Sequence, residues 1–80
     1  MAEPLMSQSQ GLVTKLQSVG DTLEFWTEDM PDGVSRFRVS NFGFFATILL
    51  AAVSREWPVA VSYPTKGDPI RDVVALVTPS

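Results

Sequence analysis

Short apolar runs separated by polar and turn-forming residues set the pattern of this chain. Residues 1–10 hold the polar stretch Ser7-Gln8-Ser9-Gln10 and little to bury, so they are expected to be a flexible N-terminal arm ahead of one domain spanning 11–80. From Gly11 the texture changes. Leu12, Val13, Leu16 and Val19, mixed with Thr14 and Gln17, predict a first strand that ends at the turn pair Gly20-Asp21. Leu23 to Thr27 alternates, with Leu23, Phe25 and Thr27 on one face and Glu24, Trp26 and Glu28 on the other. Asp29-Met30-Pro31-Asp32-Gly33 is the strongest turn signal in the sequence. After it Ser35 to Val39 alternates again, with Phe37 and Val39 inward and Arg36 and Arg38 outward. A three-stranded meander results.

The middle of the chain reads differently. Phe44 to Glu56 contains neither Pro nor Gly, and its length and Ala/Leu content favour a helix over a buried strand. Ser40 or Asn41 is placed to cap its start, Arg55 suits its last turn, and Pro58 stops it. Val59 to Tyr63 alternates as a fourth strand, Pro64 to Pro69 is a long turn, and Ile70 to Val77 is a fifth strand ended by Pro79. The expected order is β-β-β-α-β-β, mainly β with one helix. Phe25, Phe37, Val59, Val61 and Leu76 take the inward positions and form the expected core.

Between Phe42 and Val53 there is no charged residue, and Thr47 is the one polar side chain after Gly43. An ordinary surface helix shows one apolar stripe and a charged back. A helix apolar all round must be covered all round, and one end of a small barrel covers only one side. Phe45, Ile48, Leu49 and Ala52 are therefore candidates for an oligomer interface; the alternative cover is a loop or the N-terminal arm.

Length and charge narrow the classes of function. Eighty residues make one small domain with a thin margin of stability, which self-association can supplement. With no cysteine and no histidine, the chain lacks a thiol nucleophile, a thiolate zinc site and the commonest general base. No cofactor or metal is expected, and catalysis is not expected either. The net charge of -3 has the wrong sign for a duplex-binding surface. The start shows no secretory signal and the longest apolar stretch is too short to span a bilayer, so a soluble, cytoplasmic protein is the default expectation.

The chain order of meander, helix and two further strands is that of the OB-fold, a five-stranded, partly open barrel. Within that fold the chain resembles the small B subunits of Shiga-type bacterial toxins. The residues that carry the resemblance are Asn41 before the helix, the run Thr47-Ile48-Leu49-Leu50-Ala51-Ala52, and Val59 with Val61 in the next strand. The resemblance implies a five-stranded OB-like barrel and assembly into a five-fold ring. Those subunits are secreted, carry a disulfide and use a tryptophan at the helix start for one glycan site. This chain has no cysteine, and Gly43 stands at the tryptophan position. No glycan-binding residue is therefore carried over.

On the outward face of the second and third strands, Trp26, Arg36 and Arg38 are the candidate ligand-binding residues. Aromatics with positive charge on this face serve single-stranded nucleic acid in OB-folds. Here the arginines lie opposite Glu24 and Glu28 and can pair across the strands. Nucleic acid is accordingly an unlikely partner. Trp26 is either a contact residue or packed beneath the arm. The acidic group Glu28, Asp29 and Asp32, with Asp21 if the loops meet, lacks calcium-loop spacing and reads as a solvated turn. The expected function is a non-enzymatic, homo-oligomeric binding or interaction module, as a pentamer or, failing that, a dimer, for a glycan, a protein or an undetermined ligand. A single-stranded nucleic-acid-binding domain is the alternative.

Overall fold

In the computed structural model, which describes residues 5–78, tight turns and Pro residues divide the chain into seven strands around one helix. The strands are β1 (Met6–Gly11), β2 (Val13–Val19), β3 (Thr22–Thr27), β4 (Arg36–Ser40), β5 (Val59–Pro64), β6 (Ile70–Asp72) and β7 (Ala75–Val77); helix α1 (Phe44–Arg55) lies between β4 and β5. At the β2–β3 hairpin, Gly20 takes φ 57°, a left-handed conformation that costs glycine nothing. The loop after β3 closes with a Val34 N–H donated to Pro31 O at 3.2 Å, and Gly33 sits there at φ 80°.

Two sheets form. One has the order β2-β3-β4-β6, antiparallel except for the parallel β4–β6 pair; the other is the antiparallel β1-β5-β7. Two bent segments serve both. Leu12 alone separates β1 from β2, and this bend is braced by Glu28: its carboxylate accepts the Leu12 N–H at 2.8 Å, while its own N–H donates to Leu12 O at 3.0 Å. Val73 and Val74 separate β6 from β7, and their N–H groups reach opposite sheets, donating to Arg38 O at 3.0 Å and Ser62 O at 2.9 Å.

The core lies between the sheets and the helix. Phe25, Phe37, Val59, Val61 and Leu76 are all buried, as alternation predicts, together with Leu49 and Ala52 of α1. The Phe37 ring binds the two sheets: its centroid is 5.4 Å from that of Phe25 on β3 and 5.2 Å from that of Tyr63 on β5.

The β-rich, one-helix architecture matches the expectation, but the strand count and the closure do not. The order is ββββαβββ rather than β-β-β-α-β-β, and the two sheets do not close into one barrel ladder. Residues 6–10, expected to be a loose arm, pair with β5 from Met6↔Pro64 to Gly11↔Val59; residues 1–4 lie outside the described residues, as does Pro79. The expected fifth strand is split at Val73–Val74. Neither Ser40 nor Asn41 caps α1: the N-cap is Gly43, without a side-chain cap, and the Ser40 hydroxyl accepts the Phe42 N–H at 3.2 Å. Among the described residues, no helix is long and apolar enough to cross a membrane.

Candidate functional site

The outer face of the four-stranded sheet carries a polar row in strict register. Gln17 on β2 stands opposite Glu24 on β3, Glu24 opposite Arg38 on β4, and Arg38 opposite Asp72 on β6. Glu24 is buried, only 5% exposed. Its Oε1 accepts from Gln17 Nε2 at 2.7 Å and lies 2.9 Å from Arg36 Nε, whose N–H is not aimed at it. The Gln17 amide, and then Arg36, hold the Glu24 carboxyl below its ordinary pKa. Arg38 turns the other way, donating from Nε and Nη2 to the two Asp72 oxygens at 2.8 and 3.2 Å. This two-point bond lowers the Asp72 pKa and raises that of Arg38.

Trp26 is half-buried, and the Lys15 ammonium sits 4.7 Å from its ring centroid. The structure therefore brings Trp26, Arg36 and Arg38 to one face, but each is already engaged by a neighbour. Arg36 takes Glu24 as its partner, whereas Arg38 takes Asp72 rather than a glutamate, and Glu28 is used at the β1–β2 bend. Sequence patterning does not mark Lys15, Gln17 or Asp72 as site residues. Asp72 joins the row only through the parallel β4–β6 pairing, which no local pattern announces.

The second candidate is the helix. Of the expected interface residues, Leu49 and Ala52 are wholly buried in their own chain, and Phe45 and Ile48 are half-buried against the core. A partner cannot reach the first two, so they are core positions. The bare residues are others: Phe42 at 82% exposed, Phe44 at 80%, and, less so, Leu50, Val53 and Trp57. The uncharged run of α1 leaves these apolar side chains bare, but a run apolar all round does not say which side the sheets take.

At its C-terminal end α1 stops in a left-handed turn. Glu56 has φ 56°, its N–H donates to Val53 O at 3.4 Å, and the Trp57 N–H reaches back to Ala52 O at 2.9 Å. This two-bond closure is the usual helix terminus, but glycine normally holds the left-handed position. Beside it, Leu12, Val13, Ala52, Val53, Trp57 and Glu56 line a hollow of about 170 Å³. The Trp57 ring is itself faced by the Arg55 guanidinium at 4.8 Å. A wider, more open hollow of about 540 Å³ runs between the Arg38–Asp72 pair and Phe45. Among the described residues, no three acidic side chains gather as a metal-holding group. No family model matches the chain, and no curated protein or solved structure matches it either.

Proposed function

We propose that this chain is a non-enzymatic interaction module that works as a homo-oligomer, a pentamer or failing that a dimer, and is related in architecture to the OB-fold. The observation that carries the reading is the bare apolar surface of α1 and its flanks, from Phe42 and Phe44 to Val53 and Trp57. Exposed apolar patches of a few hundred Å² mark contact sites in soluble proteins, and Phe42 with Phe44 alone approach that size. The architectural kinship rests on the two bent segments. With β1–β2 and β6–β7 each taken as one segment, the pairings run from the first segment through β3 and β4 to the last and back through β5. Partners beyond a second copy, including glycans, are open to such a module. A cytoplasmic, soluble protein without a cofactor fits this reading.

A single-stranded nucleic-acid role is the second reading, favoured by the presence of Lys15, Trp26, Arg36 and Arg38 on one sheet face. Against it, Glu24 and Asp72 already neutralise the two arginines. Light scattering on the unmodified chain at tens of micromolar tests the first reading. A multimer is expected; a monomer overturns it.

A further inference from the structure

Helix α1 carries at its two ends a ring without a socket and a socket without a ring. At the N-terminal end, Phe44 projects from the first helical position. At the C-terminal end is the hollow of about 170 Å³ beside Val53, Trp57 and Glu56. An apolar cavity of about 150 Å³ takes up benzene, so this hollow has room for one phenyl ring. Phe44 and Val53 are nine positions apart, which is about 14 Å along the helix and about two and a half turns. They therefore lie on opposite flanks of α1, and the ring of one chain cannot enter its own hollow.

We propose that Phe44 of one copy seats in the Val53–Trp57 hollow of the next, so that identical chains join head to tail. This contact rests on the homo-oligomeric reading above and specifies its chemistry. Charge complementarity supports a second copy as the occupant. The helix begins with no side-chain cap and no acid in its first turn, so its free N–H groups and the positive end of its dipole lack a local counter-charge. Glu56 stands on the rim of the hollow, and the head-to-tail contact brings it beside the neighbour's helix start. A carboxylate also suits the positive edge of an incoming ring. The area is of the right order: on the ring side, Phe42 and Phe44 alone leave about 300 Å² bare. That is somewhat over a third of one partner's share, about 800 Å², in a standard interface.

Because ring and hollow are different patches facing different ways, the contact is heterologous. It generates a closed ring or a filament of three or more copies rather than a two-fold dimer. Position 56 gives a variant that separates assembly from folding. Glycine is at ease at φ 56°, so Glu56→Gly is expected to melt higher as the isolated chain while losing the rim carboxylate.

The test is the concentration midpoint of dissociation, read by light scattering with thermal melts of the dissociated chain, for the unmodified protein, Phe44→Ala, Glu56→Gly and Leu5→Ala. Leu5 is also bare, and it sits beside Thr65 past the end of β5 far from the C-terminus of α1, which makes it the control. The expected result is a multimer of three or more copies whose midpoint rises at least tenfold in Phe44→Ala and in Glu56→Gly, with Leu5→Ala unmoved. A midpoint unmoved by either variant, an equal shift in Leu5→Ala, or a two-fold dimer overturns the head-to-tail contact and leaves the homo-oligomer standing. A monomer at tens of micromolar overturns both.

Discussion

Phe37 is the residue on which the two sheets most depend. Its ring is wholly buried and touches an aromatic of each sheet, Phe25 on one side and Tyr63 on the other. Phe37→Ala removes both contacts and leaves a cavity, at a cost of about 3–5 kcal/mol. Domains of this kind hold about 5–15 kcal/mol in total, so urea denaturation should show a marginal or unfolded variant, with Phe37→Leu intermediate. Unchanged denaturation would mean that Phe37 does not face the core. Glu24 is a second sensitive position, for a different reason. Its carboxyl is depressed in the folded state by Gln17 and Arg36, and Asp72 is depressed by Arg38. A group whose folded pKa lies below its unfolded value stabilises the fold in full above the ordinary carboxylate range. That stabilisation is lost as pH falls through the range towards the folded value. Thermal melts should therefore be flat from neutral pH down to about pH 5 and decline below it. Glu24→Gln should melt lower at neutral pH and decline less in acid. An identical acid slope in that variant would remove Glu24 from the account.

Among the elements, those bounded by strong local signals were legible and those created by distant pairing were not. Helix α1 could be placed because Pro58 ends an uninterrupted run rich in Ala and Leu. Strands β3, β4 and β5 could be placed because Phe25, Phe37, Val59 and Val61 alternate with polar neighbours. Strand β1 has no such signal. Its Ser-Gln-Ser-Gln stretch contributes nothing to the buried core, and only the free edge of β5 makes it a strand. The break at Val73–Val74 was hidden for a similar reason: the apolar run Val73 to Val77 is continuous, while its backbone passes from one sheet to the other. The sheet-face site was half legible, since alternation placed Trp26, Arg36 and Arg38 together but could not supply Asp72 from the parallel strand. Strand β1 gives a direct test at this scale. In an antiparallel edge strand, alternate residues donate their N–H groups to the neighbour and the rest face water. Hydrogen exchange should find alternate amides in residues 6–11 slowed and the others fast. Uniformly fast exchange would restore the loose arm.

At the scale of the whole molecule, the charge balance argues against one partner. The chain carries a net charge of -3, and its most cationic face is already neutralised in part by its own carboxylates. An entering phosphate would have to compete with Asp72 for the Nε and Nη2 donors of Arg38 and with Glu24 for Arg36. Lys15 would have to leave the Trp26 ring before a base could stack there from that side. Proteins that do use phosphate contacts bind nucleic acid non-specifically at about 10⁻⁴ to 10⁻⁶ M in physiological salt. Titration of labelled single-stranded DNA should accordingly give nothing tighter than about 10⁻⁴ M for this chain. Arg38→Ala is the informative variant, because Asp72 is largely exposed and water can solvate it when its partner is gone. Removing Arg36 would instead strand a buried glutamate and confuse binding with folding. A micromolar complex that weakens with salt and is abolished by Arg38→Ala would make the sheet face the functional surface. The bare helix would then be a secondary contact rather than the purpose of the fold.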